Sequence, residues 1–147
     1  AADGETYGDL IDARRAAGLA EPRLIVIDLF ATWCPPCQQE TPTLRSLDRA
    51  YREEGLLIIG ISVQELRETV RGYAERYEIE YPILLDVDGA LFRAALAGGL
   101  PTKILLDAEG RVLQVLPRPF TPDDGPSLIA PLLRAPAGAA SGRRAPA

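Results

Sequence analysis

Apolar residues in this chain are gathered into blocks that have the lengths of strands. Two blocks are almost wholly apolar, L-I-V-I-D-L-F (24–30) and L-L-I-I-G-I-S (56–62). Runs of this kind are typical of strands that helices cover on both faces. Y-P-I-L-L-D (81–86) predicts a short third strand. K-I-L-L-D (103–107) and R-V-L-Q-V-L (111–116), joined by the turn A-E-G, predict a β-hairpin.

Segments with helical spacing of apolar residues separate these strands. Leu44, Leu47 and Tyr51 mark the inner face of a helix over 37–51, which Pro42 is expected to kink. The other predicted helices span 9–17, 66–77, 88–96 and 128–133. Strands that alternate with helices and end in a hairpin predict an α/β fold with a central mixed sheet, helices on both faces and a C-terminal β-hairpin.

The composition limits the possible organisation and partners. A chain of 147 residues fits one domain, which we assign to 1–134, and the small, polar and basic residues 135–147 predict a disordered tail. The net charge of −5 and the lack of a basic stripe argue against nucleic-acid binding. No apolar run approaches the roughly 20 residues of a membrane span, and no signal-peptide pattern is visible.

The two cysteines, Cys34 and Cys37, lie three positions apart in W-C-P-P-C. A zinc site needs about four ligands, and the chain has no histidine and no further cysteine, so we expect no metal. Haem attachment requires a histidine after the second cysteine, where Gln38 stands. A structural disulfide that closes so short a loop removes little unfolded-state entropy. The pattern therefore favours dithiol–disulfide exchange.

The position of the pair suggests a role for each cysteine. The first strand leads directly into the motif, which places Cys34 at a helix N-terminus, where the thiol pKa is lowered. We expect Cys34 to be the exposed nucleophile and Cys37 to be the inward-facing resolving thiol. Pro35 and Pro36 lack N–H groups, so they cannot stabilise the thiolate. This predicts a reductant, with a potential nearer about −270 mV than the about −120 mV of a strong oxidant.

Three segments carry a resemblance to a known family: D-L-F-A-T-W-C-P-P-C-Q-Q-E-T-P (28–42), Y-P-I-L-L-D (81–86) and G-G-L-P-T-K-I-L-L-D-A-E-G-R-V (98–112). They resemble the thioredoxin superfamily, and within it the extracytoplasmic TlpA/ResA-type thiol–disulfide oxidoreductases, over about 24–116. The resemblance implies a thioredoxin fold and no organic cofactor. It also implies an extracytoplasmic location, periplasmic or membrane-anchored, whose targeting segment this chain lacks. The N-terminal helix differs from the β-hairpin usual in these proteins, so a cytoplasmic location stays an alternative.

The resemblance also implies a substrate site. It assigns Pro101 a cis peptide bond facing the cysteines, which would leave the backbone of Leu100 to pair with an extended substrate segment. Trp33, Pro35 and Pro36 are expected to line the same surface. The substrates would be disulfides in proteins, and electrons would come from another dithiol protein, such as a membrane thiol transporter. We expect the chain to be a monomer.

Two carboxyl groups are candidates for moving the proton of Cys37. Asp28 lies inside an apolar strand and matches the buried acid of thioredoxin, where desolvation would raise its pKa; the alternative is a strand-edge, solvent-bridged residue. Glu65 resembles an acid of ResA-type proteins, but S-V-Q-E is also a capping box with Ser62 as the N-cap. We interpret Glu40 as a polar helix position without a chemical role.

Three other functions are compatible with parts of the pattern. A cytoplasmic general thioredoxin would use a thioredoxin reductase as its donor. A thiol peroxidase is disfavoured because its reactive cysteine normally lacks a C-x-x-C partner. A metal-binding module such as a copper chaperone is disfavoured because histidine and methionine are absent.

Overall fold

The computed structural model describes residues 6–136, so most of the predicted tail lies outside the described residues. Within this range, five strands and five α-helices alternate. The strands are β1 (Leu24–Phe30), β2 (Leu56–Val63), β3 (Ile83–Asp86), β4 (Thr102–Asp107) and β5 (Val112–Leu116). The helices are α1 (Tyr7–Ala16), α2 (Pro35–Tyr51), α3 (Arg67–Arg76), α4 (Ala90–Ala94) and α5 (Ala130–Arg134). No helix in 6–136 is both long and apolar enough to cross a membrane.

The strands form one mixed sheet in the order β3-β2-β1-β4-β5. β1 pairs in parallel with β2 and antiparallel with β4, so the strand that leads into the cysteines is hydrogen-bonded on both sides. β2 and β3 are parallel, and β4 and β5 form the antiparallel hairpin. The predicted mixed sheet and hairpin are confirmed.

Helices cover both faces of this sheet. On one face, side chains of α2, α3 and α5 pack with Val26 and Phe30 of β1 in a core that also holds both cysteines. On the other face, α1 packs on Ile25 and Leu29 of the same strand. Neighbouring residues of a strand point to opposite faces. The nearly unbroken apolar character of β1 follows from this two-sided burial, as predicted.

The observed elements differ from the predicted ones mainly at their ends. α2 begins at Pro35, two residues earlier than predicted, because proline suits the first turn of a helix. The prediction that Leu66 lies on the inner face of α3 is wrong, because Leu66 is the N-cap residue and is 77 % exposed. The closing segment begins with a π-helical turn, Gly125–Ile129, before α5.

The sheet topology brings the cysteine motif, Glu65 and Pro101 to one edge of the sheet. β1 and β2 are parallel and end at Phe30 and Val63, just before the cysteine motif and Glu65. β4 runs in the opposite direction and begins at Thr102, directly after Pro101. The carboxyl ends of parallel strands are where open α/β sheets place their sites. All three segments therefore meet at this edge.

The interior strand β2 has little room for a side chain at Gly60. A methyl group there would lie 3.2 Å from the Phe30 ring and 3.3 Å from the Ile83 side chain. We predict that Gly60→Ala lowers the free energy of unfolding by about 1–3 kcal/mol through overpacking, measured by urea denaturation. The matched control is Gly72→Ala on the exposed face of α3, where nothing lies within 4 Å; this change should raise stability by about 0.5–1 kcal/mol. Equal effects of the two changes would contradict this account.

Candidate active site

The two cysteines form a disulfide at the N-terminus of α2. Cys34 is the N-cap residue, and its sulfur accepts the backbone N–H of Cys37 at 3.3 Å. Pro35 and Pro36 occupy the first two helical positions, which therefore offer no N–H group. As predicted, the Cys37 N–H is a donor to the Cys34 sulfur.

The prediction that Cys34 is exposed is wrong for the disulfide form. Its exposed fraction is 3 %, close to the 2 % of Cys37. The disulfide turns the Cys34 sulfur toward Cys37, and the carbonyl oxygen of Leu100 lies 3.9 Å above it. The exposed groups beside the pair are Trp33, at 69 %, and the two prolines of the motif. Chemical access to Cys34 is therefore through the surface that these side chains surround.

The loop before β4 faces the disulfide, as predicted for Pro101. The Leu100–Pro101 peptide bond is cis. Pro101 is buried and Leu100 is partly buried. The Thr102 hydroxyl donates to the Gly99 carbonyl at 2.7 Å and closes the turn around the proline. The geometry thus places the Leu100 carbonyl, rather than a side chain, next to the Cys34 sulfur.

Glu65 lies at the same edge, but it does not cap α3. The helix begins at Arg67 with Leu66 as its N-cap, so the predicted capping box is wrong. The Ser62 hydroxyl donates instead to the Glu65 carboxylate at 2.8 Å. Glu65 also accepts from the backbone N–H of Thr32 at 2.8 Å and from the Thr32 hydroxyl. Glu65 therefore fixes the loop that enters the cysteine motif.

Asp28 is buried beneath the cysteines, and the alternative of a strand-edge residue is wrong. Its exposed fraction is 2 %, and it shares the face of β1 that carries Val26 and Phe30, which pack with both cysteines. Lys103 is directly opposite Asp28 in the antiparallel register, and its ammonium lies 3.1 Å from Asp28 Oδ1. Among residues 6–136, no donor reaches Oδ1 in hydrogen-bond geometry.

The interpretation of Glu40 as a plain polar position is wrong. Glu40 is 3 % exposed and forms an ion pair with Lys103, which is completely buried. Its other contact is the backbone N–H of Phe120, which donates to Oε2. Glu40 lies one turn after Cys37, where residues three apart share a helix face. Asp28, Glu40 and Lys103 are here called the buried ion cluster.

Sequence reasoning missed Lys103 and the role of Glu40, although two signals were available. Lys103 opens an apolar strand, and an antiparallel pairing would place it across from Asp28. Glu40 follows Cys37 by three residues on an inward-facing helix. Three charged groups at buried positions are seldom found unless they pair. No group of three or more acidic or cysteine side chains suited to a metal ion occurs within 6–136.

Burial changes the acidity of the cluster. Desolvation raises the pKa of Asp28, against the opposing effect of Lys103. Desolvation and the neighbouring Asp28 raise the pKa of Glu40 to about 7, while Lys103 and the Phe120 N–H act in the opposite direction. Two carboxyl groups that share one low-dielectric site resist simultaneous ionisation. The cluster therefore changes its protonation close to neutral pH.

The raised pKa of Glu40 makes stability depend on pH. The folded protein holds a proton on Glu40 up to about pH 7, whereas the unfolded chain loses it near 4.5. The unfolding free energy should therefore fall by on the order of 2–4 kcal/mol as pH rises from about 4.5 to 7, and then level off. We predict that Glu40→Gln removes most of this decline, measured by urea denaturation of the disulfide form between pH 5 and 8.

The matched control for this prediction is Glu80→Gln. Glu80 is a surface carboxylate whose pKa Arg49 and Arg52 hold below its ordinary value. It stays ionised over the whole range of the measurement, so its replacement should leave the decline intact. A Glu40→Gln protein with the wild-type decline would show that another group binds the proton.

The chain is similar in sequence and in fold to known proteins. A sequence model of the AhpC/TSA family matches residues 9–115. The thiol-disulfide oxidoreductase ResA of Geobacillus kaustophilus is 32 % identical over 100 residues, which make up 68 % of this chain. Those residues span 58 % of the relative's own length, so the chain corresponds to little more than half of it.

Two solved structures are similar to this chain over most of its length. A thioredoxin family thiol:disulfide interchange protein from Chlorobium tepidum is 30 % identical, with a TM-score of 0.66 over 76 % of this chain and 80 % of that one. A secreted thiol-disulfide isomerase from Corynebacterium glutamicum is 25 % identical, with a TM-score of 0.68 over 78 % and 73 %. Because the family match takes in most of the chain and these structures share its sheet and helices, the chain belongs to the AhpC/TSA family and has a thioredoxin fold.

Proposed function

We propose that the protein is a thiol–disulfide oxidoreductase that reduces disulfides in protein substrates. The observation that carries the proposal is the Cys34–Cys37 disulfide at the N-terminus of α2, facing the Leu100 carbonyl before a cis proline. A helix N-terminus stabilises a thiolate. A backbone carbonyl beside the disulfide suits the pairing of an extended peptide. The similarity to ResA of Geobacillus kaustophilus, a thiol-disulfide oxidoreductase by name, supports the same activity.

In this proposal, Cys34 attacks and Cys37 resolves. The Cys34 thiolate attacks one sulfur of the substrate disulfide, which forms a mixed disulfide and releases the other sulfur as a thiolate. Cys37 then loses its proton and attacks the Cys34 sulfur, which re-forms the internal disulfide and frees the second substrate sulfur. Two electrons pass to the substrate, and a partner dithiol must restore them. The N-cap position of Cys34 and the position of Cys37 within the first turn of α2 support this order.

The proposed substrate surface consists of Trp33, Pro35, Pro36 and Leu100. The first three are exposed around the disulfide, and the carbonyl of Leu100 lies beside the Cys34 sulfur. Apolar side chains and one backbone acceptor favour binding through main-chain contacts with little demand on the substrate sequence. This suits a protein that acts on several disulfides.

The buried ion cluster is a better candidate for accepting the Cys37 proton than Glu65. Glu65 already accepts three hydrogen bonds, two from Thr32 and one from Ser62, so its carboxylate oxygens are occupied by the loop that they hold. Asp28 and Glu40 have raised pKa values and lie on the Cys37 side of the sheet. We therefore assign Glu65 to fixing the loop and the two buried acids to proton transfer.

We further propose an extracytoplasmic location and a membrane thiol transporter as the electron donor. The solved relative from Corynebacterium glutamicum, described by name as secreted, supports the location. A general thioredoxin of the cytoplasm is the alternative, and reduction by a thioredoxin reductase would favour it. We propose that the chain acts as a monomer.

The first test separates the roles of the two cysteines. We predict that Cys37→Ser accumulates a mixed disulfide with insulin, whose disulfides are intact, or with a model disulfide peptide, because attack still occurs and resolution does not. Cys34→Ser, the matched control with the same chemical change three residues away, should accumulate at least tenfold less. Mass spectrometry of the trapped species is the measurement. Equal trapping by both variants would contradict the assigned order, and peroxide consumption by the wild-type protein would favour a thiol peroxidase.

The second test concerns the direction of electron flow. Because Pro35 and Pro36 remove two possible donors to the Cys34 thiolate, we predict a reduction potential below about −220 mV, among the reductants. Equilibration with glutathione at several ratios measures it. Replacement of both prolines by alanine should raise the potential toward the oxidants, since two N–H groups return to the helix N-terminus. A wild-type value near about −120 mV would overturn the proline argument.

A further inference from the structure

The outer side of the edge strand β3 is unpaired within residues 6–136. β3 stands at one end of the sheet, and in this range β2 is its single neighbour. On the β2 side, the carbonyl oxygens of Pro82 and Asp86 accept backbone N–H groups. Backbone groups along a strand point alternately to its two sides. The N–H and C=O groups of Ile83 and Leu85 therefore point away from β2, where a further strand could pair with them.

A groove lies beside this edge, between β3 and α3. Its volume is about 230 Å³. Apolar side chains from α3, from the segment before β3 and from β3 itself line it: Val70, Ala74, Ile79, Ile83 and Leu85. Alternate side chains of a strand point to one face of a sheet. A strand added to β3 would therefore place every second side chain toward this surface, here called the β3 groove.

The charged side chains that line the β3 groove are basic. They are Arg67 and Arg71, one turn apart on α3, and Arg71 is exposed. The acids of the same helix, Glu68 and Glu75, are not among the lining residues. The whole chain has a net charge of −5, so the groove is a local reversal of its overall charge. Such a surface attracts acidic groups and repels basic ones.

The acids that follow α3 do not neutralise the β3 groove. Glu78 and Glu80 flank Ile79 in the chain, and each forms an ion pair with arginines of α2 or of the turn after it. Their charges are thus balanced by cations outside the groove, and the two arginines of α3 are the charged groups of its lining.

The β3 edge offers few backbone contacts by itself. β3 has four residues and Pro82 precedes it, features that protect an edge from nonspecific pairing. A segment that pairs with it needs side-chain contacts as well, since these supply selectivity in strand addition. The β3 groove offers one apolar and one basic contact surface. An extended segment with an apolar and an acidic side chain, two positions apart, complements both.

The edge belongs to the same sheet as the strand that leads into the cysteine motif. β3 is the second strand from β1, and the two strands run in the same direction. Neighbouring strands are about 4.8 Å apart, so an added strand would lie about 14 Å from β1. A protein that binds there can therefore also face the disulfide, which follows the end of β1.

We propose that the outer edge of β3 and the β3 groove bind an extended acidic segment of a protein partner by strand addition. The backbone of the segment pairs with Ile83 and Leu85, an apolar side chain enters the groove, and an acidic side chain reaches Arg71. The binding does not depend on disulfide exchange. It supplies a second contact, away from the cysteines, that selects which proteins the molecule meets.

The test uses the complete chain in its disulfide form and two extended probe peptides. The acidic probe is T-V-T-E-T-V-T, and the basic probe has lysine in place of glutamate. We expect the acidic probe to bind at least about fivefold more tightly at low salt, a preference that should shrink at high salt, as measured by fluorescence anisotropy. With the acidic probe at about ten times its Kd, hydrogen exchange at the Ile83 and Leu85 amides should slow at least about tenfold.

Two matched variants each reverse one charge on the same helix. Arg71→Glu should abolish or invert the preference for the acidic probe. Arg76→Glu is the control, because Arg76 does not line the groove and lies over the Tyr77 ring, so this variant should keep the preference. Both positions are exposed, so both variants should fold, which urea denaturation verifies.

Any of three results overturns the proposal: equal binding of the two probes, unchanged exchange at both amides under saturating acidic probe, or equal effects of Arg71→Glu and Arg76→Glu. A dimer of the free protein that protects the same two amides overturns it as well, since a second copy would then occupy the edge. A wild-type protein without any disulfide exchange overturns the proposed function instead and leaves these binding measurements unchanged.

Discussion

The attraction between the buried Lys103 ammonium and the carboxylates of Asp28 and Glu40 joins three elements below the disulfide. β1 carries Asp28 and leads into the cysteine motif, α2 carries Glu40 and both cysteines, and β4 carries Lys103 and follows the cis proline. The buried ammonium and a buried carboxylate are each costly in the core without a partner of opposite charge. The pairing of β4 with β1 therefore does two things. It brings Lys103 next to Asp28, and it brings the cis proline next to the cysteine motif.

Hydrogen bonds to Thr32 at the edge of the sheet hold the loop that leads into the cysteine motif. Glu65 fixes Thr32, and the Gln38 side chain donates to the Thr32 carbonyl at 2.7 Å. The short loop between β1 and α2 is thus held from β2 and from the helix itself. A rigid loop presents Cys34 in one position, which lowers the entropic cost of reaching the geometry of exchange. In the proposed mechanism, the buried acids accept the proton and the loop positions the Cys34 sulfur.

The element order, the mixed sheet and the redox pair could be predicted because each depends on short-range patterns, such as the apolar runs that mark β1 and β2. The cis bond at Pro101 was predicted only through the resemblance of its segment to the thioredoxin superfamily. Glu40 and Lys103 were missed because their roles arise only from contacts between distant parts of the chain. From the periodicity of apolar residues alone, a lysine at the end of a strand and a glutamate in a helix are both predicted to face solvent. The capping box at Ser62 was wrong for a related reason, since Glu65 accepts hydrogen bonds from Thr32, a residue distant in sequence in the loop after β1.

The contacts of Glu40 join residues that are far apart in the chain. Lys103 is 63 residues from Glu40, and Phe120 is 80 residues from it. Contacts of such sequence separation form late, because the entropy of closing the intervening loop must be overcome first. A partly folded chain with β1, α2 and β2 in place but β4 undocked would expose two acids at the site and no cation to balance them. In such a partly folded chain this part of the core is open to water, and the docking of β4 supplies the cation that balances the acids and removes them from solvent.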